Sequence, residues 1–137
     1  MKLGDKSNEL NTKNKKGLGS WGEKKAQNYL INNNYAIVEK NFRNRWGEVD
    51  LIAIQGEFLV FIEVKTRKSL SFGQPESSIN YRKKEKIRKL ANYYLLKNDY
   101  SDLQVRFDVI TIMISNDSNI KRSNSNNFDL NHIENAF

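Results

Sequence analysis

Three ionisable residues stand inside apolar, strand-like segments of the sequence: Asp50, Glu63 and Lys65. Ionised side chains are costly there unless they are paired or bind a metal ion. Two carboxylates brought together favour a cation between them, and oxygen ligands from Asp50, Glu63 and the Val64 backbone carbonyl suit Mg²⁺ or Mn²⁺. A neighbouring lysine would stabilise charge on a phosphate under attack. The pattern indicates metal-assisted phosphodiester hydrolysis; the alternative is an ordinary salt bridge between Glu63 and Lys65.

The loop around Gln55-Gly56-Glu57 decides whether the two carboxylates meet. A two-residue turn at Gln55-Gly56 would pair Glu48 with Glu63 and make Asp50 the diagonal neighbour of Glu63, within about 7–8 Å. A four-residue loop would pair Asp50 directly with Glu63. A three-residue loop without a bulge would put them on opposite faces, because side chains alternate along a strand. The site therefore requires an even loop or a bulge.

The elements that must position these residues follow from periodicity and turn signals. The sequence predicts a helix at 19–33, strands at 35–42, 48–54 and 58–66, a loop at 71–75, a helix at 77–97 and a strand at 105–114. Asn32-Asn33-Asn34 is expected to end the first helix, since asparagine tolerates the left-handed conformation. The class is α/β with a mixed sheet, because the hairpin is antiparallel and the helical crossover favours parallel pairing.

The length of 137 residues fits one domain. We expect a disordered basic arm at 1–16, the folded domain at 17–114 and a loose Asn/Ser-rich tail at 115–137, where His132 is given no role. The absence of Cys and the single His exclude a disulfide scaffold, Cys-ligated metal sites and multi-His metal sites. No apolar run approaches the ~18 residues of a membrane span, and no secretory signal is visible. A cytoplasmic protein without membrane contact is expected.

The net charge of +7 is concentrated in two segments, the arm 1–16 and the run 82–89. Such clusters are typical of proteins that bind a polyanion, most often nucleic acid; a solvated helix face is the alternative. Aromatic and basic residues before Glu48 could stack on a base and hold phosphate, although Trp46 could instead cover the hairpin. The candidate nucleic-acid contacts are Arg43, Arg45, Trp46, Arg67, Lys83, Lys84 and Lys86.

Several motifs in this order resemble those of one known family. They are Gly19 with Gly22-Glu23, Asn41-Phe42-Arg43, residues 47–53, residues 61–67, Phe72-Gly73 with Pro75, and residues 106–109. Asp50 with Glu63-Val64-Lys65 resembles the PD-(D/E)xK motif, and the whole string over 17–114 resembles the YraN-like family of small bacterial proteins. That family is assigned to the restriction-endonuclease-like fold and is similar to archaeal Holliday junction resolvases.

The resemblance implies a three-layer fold with a mixed central sheet flanked by helices. It further implies that Asp50 and Glu63 are metal ligands, that Lys65 is the catalytic lysine and that Glu23 contributes to the metal site. A carboxylate favoured by the helix dipole is the alternative for Glu23. The expected activity is that of a Mg²⁺-dependent endonuclease acting on DNA, including branched or junction DNA. The resemblance is compatible with a homodimer, since many such enzymes cut two strands as dimers, but no self-complementary interface is visible in the sequence and the oligomeric state is left open.

The sequence is also compatible with two other functions. A non-catalytic nucleic-acid-binding module of the same fold would bind DNA in a salt-sensitive way without metal-dependent turnover. A protein-interaction factor would use the basic run to bind an acidic partner.

Overall fold

The structure is a computed structural model and describes residues 15–68, 81–114 and 128–137. These ranges form two helices and five strands: α1 (Lys15–Asn32), β1 (Ala36–Asn44), β2 (Gly47–Gln55), β3 (Phe58–Arg67), α2 (Tyr81–Lys97), β4 (Gln104–Ile114) and β5 (Phe128–Ile133). Most of the predicted arm, the loop at 71–75 and the first four residues of the predicted second helix lie outside the described residues. In the ranges described, neither helix combines the length and apolarity of a membrane span.

The five strands form one sheet in the order β1-β2-β3-β4-β5. β3 and β4 pair in parallel, and the other three neighbouring pairs are antiparallel. Parallel neighbours need a long crossover, and α2 lies between β3 and β4 in the chain. The predicted mixed α/β sheet is therefore confirmed.

Each face of the sheet is covered by one helix. From Leu51 to Ile62, alternate residues of β2 and β3 lie on opposite faces, as the two-residue period of a strand requires. Val49 departs from this alternation, because it packs on the α2 side although Leu51, two residues later, packs on the α1 side. Ala26 and Leu30 of α1 pack on the face that carries Leu51, Val60, Ile62, Ile110 and Ile112. Ile87, Leu90, Ala91 and Tyr94 of α2 pack on the face that carries Val49, Ile52, Leu59, Phe61 and Phe107. The result is a helix–sheet–helix arrangement, compatible with the three-layer fold that the resemblance implies.

The first helix ends as the asparagine run predicts. Asn34 has a φ of 69°, in the left-handed region, and the amide of Tyr35 donates to the carbonyl of Leu30 at 2.9 Å. This bond satisfies a carbonyl that the ending helix would otherwise leave without a partner. The chain turns sharply here and enters β1.

The turn between β2 and β3 differs by one position from the two-residue turn considered above. Gln55 pairs with Phe58, so the turn residues are Gly56 and Glu57, and Gly56 has a φ of 59°. This register is the one that a four-residue loop would give. Its last backbone pair is Leu51 with Ile62, so the pairing stops one position before Asp50 and Glu63, which a continued ladder would set opposite each other.

The expectation of a loose tail is wrong for residues 128–137, because 128–133 form β5 against β4. Phe128 and Leu130 pack on the α1 side of the sheet, whereas the Phe137 ring stacks on Phe107 on the α2 side, with centroids 5.2 Å apart. The few apolar residues of this segment stand among many Asn and Ser residues. The amino-acid composition therefore did not indicate a short edge strand. Residues 115–127 lie outside the described ranges.

His132 belongs to a buried polar network, so its assignment to a loose tail without a role is also wrong. Its Nε2 lies 2.7 Å from an Asp108 carboxylate oxygen, and its Nδ1 lies 2.9 Å from the Tyr29 hydroxyl. Arg106 donates to both oxygens of Asp108, at 2.9 and 2.8 Å, and to the Tyr35 hydroxyl at 2.7 Å. Asp108 is completely buried, which is tolerated because its charge is paired and hydrogen-bonded. The network joins β5 to β4 and α1.

Candidate functional site

Asp50 lies where the hydrogen-bond ladder between β2 and β3 ends. Beyond the pair Leu51–Ile62, the Asp50 carboxylate accepts a hydrogen bond of 2.7 Å from the backbone amide of Val64. The side chain thus takes the place of a backbone carbonyl on the neighbouring strand. This bond fixes the carboxyl group at the gap between the two strands.

Glu63 is held by two lysines. Its Oε2 lies 3.0 Å from Nζ of Lys83 and 3.7 Å from Nζ of Lys65. Glu63 and Lys65 come from the same face of β3 and are 12% and 13% exposed, whereas Lys83 comes from the first turn of α2 and is 38% exposed. The predicted salt bridge between Glu63 and Lys65 is therefore present, and a third residue joins it.

Glu23 reaches the same place from α1, on the other side of the sheet. Its carboxyl group interacts with that of Asp50 and with the side chain of Asn41, which adopts a left-handed conformation in β1. Gly22 lets α1 come this close, because a Cβ there would overlap Oγ1 of Thr66 on β3. The helix therefore meets the strand at Gly22 and extends the next side chain over the gap.

The surroundings of Asp50 and Glu63 disfavour the simultaneous ionisation of both carboxyl groups. Burial raises the pKa of Asp50 to about 7, and the negative charges of Glu63 and Glu23 act in the same direction against the lowering effect of the Val64 amide. Burial also raises the pKa of Glu23. Burial lowers the pKa of Lys65, opposed by the charge of Glu63 and assisted by those of Lys83 and Arg67. Negative charge is thus concentrated in a poorly hydrated place.

The donors at this place suit a hard divalent cation. They are carboxylate oxygens, and a cation between them would relieve the repulsion of neighbouring negative charges. Within residues 15–68, 81–114 and 128–137, no group of three or more His, Cys, Asp or Glu side chains is arranged to hold a metal ion. A cation would therefore rely on Asp50 and Glu63, with water and backbone oxygens completing its shell.

Two adjoining cavities open beside the pair. The smaller, of about 220 Å³, is lined by Asp50, Glu63, Lys83, Lys86 and Ile87 together with Gly47 and Glu48. The larger, of about 620 Å³, shares Gly47, Glu48 and Lys86 with it. Its remaining lining residues are Arg43, Asn44, Arg45, Trp46, Arg82, Glu85 and Lys89. We call the larger cavity the basic groove, because five of its side chains are cationic and two are anionic.

Comparison with known proteins places the chain in a family. A family model described as an uncharacterised protein family, UPF0102, matches residues 22–112. The chain belongs to this family. The match begins at Gly22, contains the carboxylate pair and both walls of the basic groove, and ends within β4. The resemblance to the YraN-like family is confirmed by it.

Curated relatives extend the match over most of the chain. A UPF0102 protein of Thermodesulfovibrio yellowstonii is 51% identical over 122 residues, which cover 88% of this chain and 95% of the relative. A UPF0102 protein of Acetivibrio thermocellus is 48% identical over 74% of this chain and 79% of its own length. One of Clostridioides difficile is 40% identical over 90% of this chain and 99% of its own length. None of these names states an activity.

In this UPF0102 member, the structure brings most of the predicted nucleic-acid contacts together. Arg43, Arg45, Trp46 and Lys86 line the basic groove, and Lys83 lines the smaller cavity. Arg43 lies in β1 rather than in a loop, since β1 runs to Asn44. Its guanidinium pairs with Glu48 at 2.9 Å on an exposed surface.

Two predicted contacts lie elsewhere. The ammonium group of Lys84 lies 5.8 Å from the ring centroid of Phe137, near the C-terminus. Arg67, at the end of β3, donates to the carbonyl of Thr66 and lines neither cavity. A helix turns by 100° per residue, so adjacent lysines of one basic run necessarily point in different directions.

Among the cationic and amide side chains that line the basic groove, sequence reasoning missed Asn44, Arg82 and Lys89. Helical spacing of three to four residues from Lys86 could have found Arg82 and Lys89. Asn44 accepts a hydrogen bond from the Trp46 amide at 2.8 Å, while its Nδ2 is buried and has no hydrogen-bond partner among the described residues. No pattern in the sequence distinguishes this asparagine from the other eighteen.

Proposed function

We propose that this protein is a metal-dependent nuclease that hydrolyses phosphodiester bonds in DNA. One observation carries the proposal: Asp50 and Glu63 come together at the gap between β2 and β3, with Lys65 beside Glu63, next to a groove with a cationic lining. Branched or junction DNA is the proposed substrate form, on the resemblance to resolvases alone. Mg²⁺ or Mn²⁺ is the proposed cofactor.

The role proposed for each residue follows from its position in the site. Asp50 and Glu63 would hold the cation, with the Val64 carbonyl as a further candidate ligand and Glu23 beside Asp50. When bound, the cation would polarise the phosphate and lower the pKa of a water molecule. Lys65 is nearly buried next to Glu63, so its ammonium group would face the phosphate without competition from bulk water and stabilise the developing charge.

The basic groove would bind the DNA backbone. Arg82, Lys86 and Lys89 line one wall from α2, and Arg43 and Arg45 line the other from the β1–β2 hairpin. Trp46 lies between these walls, with Arg45 and Lys89 at 5.2 and 5.4 Å from its ring centroid. Cations beside an aromatic ring are typical of surfaces that bind single strands or distorted DNA.

A cleavage panel tests the proposal. Purified protein is incubated with labelled duplex, flap, four-way junction and single-stranded DNA, with Mg²⁺, Mn²⁺ or EDTA. We expect metal-dependent cleavage of at least one substrate. Asp50→Asn, Glu63→Gln and Lys65→Met should each reduce it by about 100-fold or more, since each removes a group that acts in the transition state.

Matched controls exclude general effects of charge and folding. Glu57→Gln removes a carboxylate from the exposed turn of the same hairpin, and Lys97→Met removes a lysine from the far end of α2. Both variants should cleave like the unsubstituted protein. Failure to cleave any substrate with either metal, or full activity of Asp50→Asn, would contradict the nuclease proposal.

A second function is favoured by one specific observation. Glu63 is already neutralised by Lys65 and Lys83, as it would be in a binding module that needs no metal. Such a module would bind DNA with a steep loss of affinity as salt rises. It would do so equally well in Mg²⁺ and EDTA, and it would show no turnover.

A further inference from the structure

Lys83 is the feature of the site that the carboxylate motif does not account for. It belongs to α2, twenty residues after Glu63, and its Nζ lies 3.0 Å from Glu63 Oε2. This is shorter than the 3.7 Å between Lys65 and the same oxygen. Two ammonium groups therefore share one carboxylate oxygen, and the nearer of them comes from outside the β2–β3 hairpin.

The two lysines differ in how firmly they are placed. Lys65 is 13% exposed and stands on a central strand, two residues from its partner. Lys83 is 38% exposed and stands on the first turn of a helix, on a flexible stem of four carbons. Water therefore reaches the Lys83 ammonium group and can replace Glu63 as its partner, whereas Lys65 is shielded from water and lacks that replacement.

We propose that Lys83 is an exchangeable counter-ion, which neutralises Glu63 until a divalent cation takes its place and then binds the phosphate of the substrate. The inference rests on the proposed function, because it assumes the cation site at Asp50 and Glu63. A dication at Glu63 repels an ammonium group at hydrogen-bond distance and competes with it for the same oxygen lone pairs. The substrate phosphate, in turn, attracts the ammonium group that has been released.

The smaller cavity can accommodate the Lys83 side chain after it leaves Glu63. Lys83 lines the smaller cavity between the carboxylate pair and the basic groove, and Lys86, one helical turn further along α2, lines both cavities. A phosphate that enters this passage from the groove would meet Lys83 directly beside the cation. Lys83 would then couple the two binding events, favouring phosphate only after the cation is bound.

Metal binding is the first test, and Lys86 provides the matched control. Mn²⁺ affinity is measured by isothermal titration calorimetry for the unsubstituted protein, Lys83→Gln, Lys86→Gln and Glu63→Gln. Lys83→Gln should bind Mn²⁺ about threefold or more tightly, because it loses the competing cation. Lys86→Gln removes the same charge from the same cavity, and among the described residues it forms no ion pair with Glu63. It should change the affinity by much less.

DNA binding is the second test. The affinity for a labelled four-way junction is measured by fluorescence anisotropy in EDTA and in Ca²⁺, used as a dication that supports little cleavage. Lys83→Gln should weaken binding several-fold more in Ca²⁺ than in EDTA, because Lys83 binds phosphate only after release from Glu63. Lys86→Gln should weaken binding by the same factor in both conditions.

The outcomes separate this inference from the function on which it rests. If the unsubstituted protein binds Mn²⁺ through Glu63 but Lys83→Gln binds it no more tightly than Lys86→Gln does, the exchange is wrong and the nuclease proposal stands. If Lys83→Gln weakens Mn²⁺ binding, Lys83 supports the site and does not compete for it, and the inference is again overturned. If neither the unsubstituted protein nor Lys83→Gln binds Mn²⁺, both proposals fall together.

Discussion

The Asp50 carboxylate accepts a 2.7 Å hydrogen bond from the amide of Val64, across the gap where β2 and β3 stop pairing. A side chain therefore closes the ladder that the backbone leaves open. The bond fixes one oxygen of a carboxyl group on which the negative charges of Glu63 and Glu23 also act. The stability of the fold and the charge of the site are linked at this point.

The first prediction concerns this link. Asp50 has a folded pKa of about 7 against an ordinary 3.8, so between these values the folded chain holds a proton that the unfolded chain has lost. Stability then falls as pH rises from about 4 to 7. Asp50→Asn keeps the acceptor for Val64 and cannot ionise. In EDTA it should be more stable than the unsubstituted protein at pH 8, on the order of 2–4 kcal/mol, and equally stable near pH 4.

Urea unfolding at pH 4, 6 and 8 measures this difference. Glu57→Gln, in the exposed turn of the same hairpin, should follow the profile of the unsubstituted protein. Parallel profiles for the unsubstituted protein and Asp50→Asn would show that burial does not hold the proton on Asp50.

The second prediction concerns the contact between α1 and β3. Gly22→Ala places a Cβ against the Thr66 side chain, so the helix must move outward. It should lower the unfolding free energy by about 1–3 kcal/mol and also reduce any cleavage, because Glu23 follows Gly22. Gly19→Ala meets nothing within 4 Å on the same helix and should be neutral or stabilising.

A double variant isolates the cause. Thr66→Ala removes the nearest atom, Oγ1, and should restore part of the stability that Gly22→Ala loses. If Gly22→Ala is as stable as Gly19→Ala, the close approach of helix and strand is not a constraint on the fold.

The third prediction concerns the network around Asp108. Burial alone would raise the pKa of Asp108, but hydrogen bonds from His132, Arg106 and the Asn135 amide outweigh burial and lower it. Its stabilising contribution is therefore present above about pH 4 and is lost as pH falls further. Asp108→Asn should cost about 3 kcal/mol at pH 7, since it leaves the buried charge of Arg106 with only a 4.0 Å contact to the exposed carboxylate of Glu134.

Chemical unfolding as a function of pH checks this expectation. The difference between Asp108→Asn and the unsubstituted protein should shrink below pH 4, where Asp108 itself becomes protonated. Asp129→Asn, exposed on β5, serves as the control and should change stability by less than about 0.5 kcal/mol. A neutral Asp108→Asn would mean that the network does not stabilise the C-terminal strand.

The fourth prediction concerns the basic groove. Lys86→Gln removes one cation from the groove, so the slope of log affinity for DNA against log salt should become shallower by about one. Lys97→Gln removes the same charge from the opposite end of α2, where the ammonium group lies near Tyr93, and should leave the slope unchanged. The measurement is fluorescence anisotropy in EDTA between 50 and 200 mM salt. Equal slopes for the two variants would place the DNA elsewhere.

Local patterns were sufficient to predict the elements and the central pair. The two-residue turn between β2 and β3 brings Asp50 and Glu63 to the same level of the hairpin, because a hairpin is a short-range structure whose register follows from its own residues. The mixed sheet likewise follows from the order of strands and helices. Among the described residues, boundaries shifted by at most four positions, and the turn by one.

The rest depended on residues far apart in the chain. His132 looked unimportant in an Asn-rich tail, since only the pairing of β5 with β4 brings it to Asp108, 24 residues earlier. Lys84 looked equivalent to Lys83, although α2 directs one towards Phe137 and the other towards Glu63. The sequence shows how much charge a basic run carries. The direction of each side chain depends on which face of the helix is buried.

By itself, the sequence determined the α/β class, the family motifs and the carboxylate pair with its lysine, since periods of two and 3.6 residues and a short turn act over a few neighbouring positions. Only the tertiary structure decided what surrounds that pair. The crossover from β3 to β4 brings α2 against the same face of the sheet, so Lys83 reaches Glu63, and the glycine contact of α1 brings Glu23 to Asp50. Both contacts arise because α1 and α2 pack on opposite faces of one sheet. Local sequence patterns do not predict such packing.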